Sequence, residues 1–387
     1  GIESITFNSV FSGTLDTNAG VDPLLGDIAG NANDLTSISA VDGTGTNTLR
    51  TLNVSASSNF AIGGAVDFAS GAQGTTDAIT VDLSGAGSAE AGVLNLGSEI
   101  NRVDVVSTGS GDRSIDLDDA TRNTEGALKA TAGADQAAGE GVDVSGTGTG
   151  SVFVRGETET LNNLTIDGSG FSGDVVAELN DNQGTTNINA ANFTDVGEVL
   201  ISADFTSGRT ISSLADNTVV NFANDQTAGA FTLGGSGGPL TVQLGNELTT
   251  ANDGLNATDA LNVRNVDNLT VSVEDGNTND NNVDVEGINT AAALGDSVAL
   301  QTLTLNANDA GTILDIDDAI EIGRPTELST DNSFTLDMNG PGAIDIAALD
   351  LSTAPSSGTD GDLTQLDIDT EGGGARTLAA VTLEEDG

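Results

Sequence analysis

The chain has 387 residues with 10 Lys+Arg against 59 Asp+Glu, a formal net charge of −49. That balance excludes nucleic acid and anionic membrane surfaces as direct partners, because both need a basic patch to displace counterions. Cysteine and histidine are both absent, which removes disulfides, thiolate metal sites, the commonest general base and the usual pH switch. No apolar run approaches the length of a membrane-spanning helix. The chain starts at Gly1 without Met and stops at Glu384-Glu385-Asp386-Gly387, which reads as a processed or partial chain.

High net charge alone would suggest disorder. Here, however, Ile, Val, Leu and Phe recur at strand spacing along nearly the whole length, and proline is scarce. One unit returns repeatedly: apolar, two residues, apolar, one residue, apolar, then a Gly/Asn/Asp/Ser turn and a second alternating strand. It begins at Leu49-Leu52-Val54, Ile100-Val103-Val105, Leu161-Leu164-Ile166 and Val196-Val199-Ile201. It returns at Val266-Leu269-Val271, Leu300-Leu303-Leu305 and Leu363-Leu366-Ile368. The second halves include Val175-Val176-Ala177, Ile211-Ser212-Ser213-Leu214 and Val283-Asp284-Val285. Alternation with period two sends one set of side chains inward and the other outward.

Many short strands with frequent Gly/Asn/Asp turns predict an all-β protein, and repetition of one hairpin-like unit points to an elongated, β-solenoid-like architecture. Tandem β-sandwich domains are the alternative. The expected organisation is an N-terminal β-repeat domain over 1–130, a linker over 131–141 and a second β-repeat domain over 142–387, with a further linker at 352–362 around Pro355. The Ala-rich stretch from Glu125 to Ala138 is broken by Gly126 and Gly133, so any helix there is short.

Within a strand, Asp116 and Asp118 share a face, and the same spacing recurs at Asp315/Asp317, Asp284/Glu286 and Asp367/Asp369. At a separation of ~7 Å such a pair repels by about 0.6 kcal/mol in water, and roughly four times that at an effective dielectric of 20. Many pairs on so acidic a chain call for a bridge or a screen. Calcium suits carboxylates, Asn side chains and turn carbonyls. The candidate ligands are Asp315, Asp317 and Asp318; their counterparts Asp116, Asp118 and Asp119; Asp275, Asp280 and Asp284 with interleaved Asn; and Asp360 with Asp362. The stretch Asp275-Gly276-Asn277-Thr278-Asn279-Asp280 lacks the sixth-position glycine of an EF-hand loop. Solvated acids, as on proteins from saline habitats, are the alternative reading, since ~1 M salt shortens the Debye length to about 3 Å.

The strand–turn–strand unit, with connectors such as Ile188-Asn189-Ala190-Ala191-Asn192-Phe193-Thr194, resembles the repeats of bacterial surface-layer (S-layer) proteins, in particular the calcium-dependent lattice proteins of Gram-negative bacteria. The resemblance covers most of the chain and is one of texture, shared with large exported adhesins. It implies a β-solenoid-like lattice part, export by a one-step secretion system, a cell-surface location, assembly of copies into a lattice with Ca²⁺ bound within and between subunits, and an anchor on cell-surface polysaccharide. The glycine-rich nonapeptide of RTX repeats is absent in clean form; Gly109-Ser110-Gly111-Asp112-Arg113-Ser114-Ile115 is a rough echo.

Three functional classes then compete. The first is a self-assembling extracellular coat or matrix subunit, which the repeats and the lack of a catalytic constellation favour. The second is a stalk segment of a large adhesin or fibre. The third is a carbohydrate-active enzyme on a β-helix, disfavoured because paired carboxylates are too abundant to single out a site. The expectation is a non-enzymatic structural protein, with its own copies as partners.

Overall fold

The apolar triplets that open the repeats are the core, except in the last repeat, where Leu366 is half-buried, Ile368 is exposed and Leu363 lies outside the described residues. Leu49, Leu52, Ile100, Val103, Val105, Leu161, Leu164 and Ile166 are completely buried, and Val199, Ile201, Leu269, Val271, Leu303 and Leu305 are at most 1% exposed. A computed structural model describes residues 2–9, 33–39, 48–69, 78–96, 100–117, 141–162, 164–180, 187–203, 205, 208–223, 231–244, 253–255, 261–273, 282–290, 300–322, 333–351 and 365–383. The predicted linkers at 131–140 and 352–362 and the Ala-rich stretch lie outside those residues; Gly141 opens a strand. The chain forms two units, residues 1–180 with 192–198, and residues 181–191 with 199–387.

In the first unit, one sheet runs Ser4–Ser9, Thr51–Ala56, Ala78–Ser84, Arg102–Thr108, Gly141–Gly146, Ile166–Phe171 and Phe193–Thr194 in spatial order. A second runs Asn33–Leu35, Phe60–Ile62, Ala89–Asn95, Arg113–Asp116, Val152–Gly156 and Val175–Leu179. The second unit repeats the scheme. One series is Thr218–Phe222, Leu240–Leu244, Asn268–Val273, Thr302–Ala307, Ser333–Asn339 and Gln365–Thr370. The other includes Arg209–Leu214, Phe231–Gly235 and Leu261–Arg264, and it contains the long strands Ile313–Glu321 and Ala343–Asp350.

The ladders between successive repeats are parallel. Each repeat therefore differs from a hairpin. Its two strands belong to different sheets, and each pairs with the equivalent strand of the repeat before and after. Among the described residues this is a β-solenoid-like stack of rungs, unlike the antiparallel pairing of β-sandwiches. The only helical elements among the described residues are the turn Thr158–Leu161 and the 3₁₀ turn Ala190–Asn192.

Parallel register makes every side chain part of a column. Ile5, Leu52, Val81, Val105 and Val144 are successive neighbours, as are Ile79, Val103, Val142 and Ile166. Apart from Ile5 on the first strand, every one of these residues is completely buried. A rung alone has no layer to bury its inner face against, so the stacking of neighbours is what supplies the core.

Candidate functional site: carboxylate columns and arginine corners

The same register that stacks apolar residues inward stacks acids outward. In the first unit Thr80, Asp104, Asp143, Asp167 and Thr194 are consecutive ladder partners. In the second unit Gly254, Asp284, Asp315, Asp345 and Thr377 form an equivalent column. The second unit holds two further acidic pairs: Glu321 with Asp350 on the same strands as Asp315 and Asp345, and Asp337 with Asp369 on the other sheet. Neighbouring strands are about 4.8 Å apart, so two unscreened carboxylates at that spacing repel by about 0.9 kcal/mol in water. That is a tighter juxtaposition than the in-strand pairs.

Arg102 shows how the first unit offsets this repulsion. It projects from the strand that carries Asp104; its Nε donates to Asp104, and its Nη2 donates to Asp143 Oδ2 at 2.9 Å. The strong hydrogen bond to Asp104 holds the Arg102 pKa above its ordinary value. Asp143 behaves oppositely: burial raises its pKa, and Asp104 and Asp167 add to the rise, while Arg102 works against it. Asp167 Oδ1 accepts a hydrogen bond from the Ser169 amide at 3.0 Å.

The candidate calcium ligands are distributed unevenly over this geometry. Asp315 stands mid-column between Asp284 and Asp345, while Asp317 and Asp318 are exposed further along the same strand. Asp116 is the ladder neighbour of Arg155 and accepts from Asn180 Nδ2 at 3.3 Å. Arg155 in turn is ion-paired to Glu90 at 3.4 Å and to the buried Glu178 at 3.1 Å. Asp116 is thus brought into a charge-compensated group rather than into an acidic one. Asp118, Asp119, Asp275, Asp280, Asp360 and Asp362 lie outside the described residues. Among the described residues no three carboxylates converge in an arrangement that would hold a metal ion. A column spreads its oxygens along the stack, whereas calcium needs six to eight of them around one point.

The most constructed polar site is one that the spacing of acids does not point to. Arg113 is completely buried at the corner between its two strands. Its guanidinium makes five hydrogen bonds to backbone carbonyls: Leu83 at 3.1 Å, Gly87 at 2.7 Å, Gly85 at 2.7 Å, Thr108 at 3.2 Å and its own neighbour Asp112 at 2.9 Å. Burial lowers its pKa, and Asp112 opposes that. The second unit builds the same corner around Arg376. There the carbonyls of Met338, Gly340, Gly342, Glu371 and Ala375 accept the bonds, at 2.5–3.3 Å.

Glycine makes these corners possible. Gly85, Gly109, Gly340 and Gly372 all have φ near +100°, from +95° to +105°. A Cβ at Gly111 would sit 2.7 Å from Arg113 Nη1, and one at Gly374 the same distance from Arg376 Nη1. The signal available in the sequence is a pair of spacings: Gly109-Ser110-Gly111-Asp112-Arg113 and Gly372-Gly373-Gly374-Ala375-Arg376, each one rung after a Gly-x-Gly turn. The rough echo of the RTX nonapeptide is this corner, and its converging carbonyls are occupied by a guanidinium supplied by the chain.

No helix among the described residues is long and apolar enough to cross a membrane. Comparison with known proteins finds no matching family model, no similar curated protein and no similar solved structure.

Proposed function

We propose that this chain is a structural subunit of an extracellular, cell-surface array built from copies of itself. The observation that carries the reading is the rung-on-rung architecture. Parallel strands stack in register, with carboxylates and hydroxyls in columns on the outer faces and side-chain chemistry invested in corners and ladders. Such a structure is a scaffold: each rung provides the surface on which the next one packs.

The acidic columns give assembly an ionic condition. Copies whose columns approach repel until a divalent ion or salt screens them, and calcium is the ion best matched to carboxylate and carbonyl oxygens. Where the columns of two copies face each other, carboxylate oxygens come from both sides, and calcium acts in this reading between copies.

The test monitors particle size by light scattering and thermal unfolding by far-UV circular dichroism, with CaCl₂ titrated against EGTA at fixed ionic strength and Mg²⁺ as control. Growth of large particles with Ca²⁺, reversed by chelator, is the expected result. Dispersed monomers under every ionic condition overturn the reading. Particles indifferent to chelator remove calcium from it and leave assembly to contacts that need no ion.

A further inference from the structure

One sheet of the second unit has an outer face without charge over four successive strands. Thr218–Phe222, Leu240–Leu244, Asn268–Val273 and Thr302–Ala307 contain no Asp, Glu, Lys or Arg, on a chain of net charge −49. Their inward residues, among them Val220, Val242, Leu269 and Leu303, are at most 1% exposed. Their outward residues stand in columns. Thr241, Thr270 and Thr304 are consecutive ladder partners, and so are Gln243, Ser272 and Asn306. The three threonines keep part of their surface open to solvent. The ladders that join these strands, and the next one to Ser333–Asn339, run without a register shift. The other sheet of the unit breaks register between Ile211 and Leu214 and between Ile316 and Ala319. The uncharged face is thus a regular grid, with rungs about 4.8 Å apart and outward residues about 6.7 Å apart along each strand.

The chemistry of this grid is self-complementary. A hydroxyl or a carboxamide both donates and accepts a hydrogen bond, so each can bond to its like. An ionised carboxylate only accepts, so two acidic faces have no hydrogen bond to exchange and repel besides. The column Asp284, Asp315 and Asp345 on the other sheet is of that second kind. For two copies of so acidic a chain, the uncharged grid is the face of this unit that approaches its like at the least electrostatic cost.

We propose that two copies meet through this face, sheet against sheet, related by a two-fold axis parallel to the strands. The proposal rests on the self-assembly reading and adds to the calcium-bridged acidic columns a second contact that needs no ion. The two-fold lays each column against its own copy in reverse rung order. Asp337, which continues the threonine column, then meets the strand Thr218–Phe222 of the other copy, which carries no acid. The alternative with both stacks running the same way sets Asp337 against Asp337. The grid measures about 20 Å by 20 Å, or roughly 400 Å² a side, half of what a stable standard-sized interface uses. It is therefore a weak contact, which takes effect once the calcium-bridged columns hold copies close together.

The chain has no cysteine, so Thr270→Cys carries a single nitroxide label at the centre of the face. Packed sheets lie about 10 Å apart, which brings two labels on facing columns into dipolar range. In particles grown with CaCl₂, the frozen electron paramagnetic resonance spectrum is expected to broaden, and mixing with excess unlabelled wild-type chain is expected to narrow it again. Adding Thr241→Glu/Thr304→Glu, which puts acids into the column, is expected to remove the broadening while far-UV circular dichroism stays unchanged. Thr241→Asn/Thr304→Asn, which keeps donors and acceptors, is expected to retain it. Large particles with a narrow spectrum at position 270 overturn the face contact and leave self-assembly standing. Broadening that survives the Glu pair overturns the role given to the missing charge. Chains that stay monomeric at every calcium concentration overturn both the contact and the self-assembly reading.

Discussion

Gly109 stacks directly on Gly85, so closely that a Cβ at Gly109 would lie 2.0 Å from the Gly85 carbonyl oxygen. Gly372 repeats the relationship over Gly340 at 2.1 Å. Two positive-φ residues one rung apart leave no room for a side chain, and backbone cannot yield as a flexible side chain does. Gly109→Ala is therefore expected to destabilise the first unit by roughly 3 kcal/mol or more, from strain at φ +103° and the clash together. Gly197→Ala, at a position with nothing within 4 Å, is expected to change stability by less than about 0.5 kcal/mol. Denaturation midpoints recorded by far-UV circular dichroism separate the two.

The arginine corners give a graded prediction. Arg113→Met strips donors from carbonyls that the next rung seals from water, and is expected to cost roughly 3–5 kcal/mol. Arg376→Met exposes its carbonyls to solvent and is expected to cost about 1–2 kcal/mol. The same unfolding measurement on both variants decides it; equal losses would show that the roof over Arg113 is energetically irrelevant.

The Arg102 column predicts opposite signs for two substitutions on adjacent strands. Arg102→Leu leaves Asp104, Asp143 and Asp167 in register without the guanidinium, at an expected cost of about 1 kcal/mol at low ionic strength. Asp143→Asn removes the middle charge and keeps a hydrogen-bonding group, so the melting temperature is expected to hold or rise. Salt near 1 M, where the Debye length is about 3 Å, shrinks both effects; a salt-independent Arg102→Leu loss would point to packing by its aliphatic stem.

Acid should stabilise this protein before it denatures it. Asp143 and Asp82 have folded-state pKa values raised by burial. A raised carboxylate binds its proton more tightly folded than unfolded. Its destabilising effect is complete above the folded value and is relieved as pH falls through that value towards the ordinary carboxylate range. The melting temperature is therefore expected to rise as pH is lowered from neutrality towards the ordinary carboxylate range, and Asp143→Asn is expected to flatten that rise. A melting temperature that falls steadily over the same interval would contradict the assignment.

The inward half of the fold was legible because it repeats. The apolar spacing at Leu49-Leu52-Val54 or Leu300-Leu303-Leu305 needs no partner to be recognised, and those residues are buried as their alternation predicts. The strand after each turn was less legible. Ile115 or Ile316 reads equally well as the return strand of a hairpin or as the next side of a rung, because both alternate. The choice depends on the angle of the corner, which Gly109 and Gly111 set through backbone geometry that composition does not display.

Strand content, the inward face, the acidic outer face and the absence of thiol and imidazole chemistry are all properties of the linear chain. They come from local periodicity and side-chain type, and need no long-range contact. Which acids are neighbours is a property of the stack. Asp315 was legible as the in-strand companion of Asp317, yet its ladder partners are Asp284 and Asp345. Register is set by how whole rungs stack, and a slip of one residue would turn each of these acids to the opposite face. The same holds for Arg113: its charge was visible, but the convergence of five carbonyls upon it exists only once two rungs and their glycine corners are superposed.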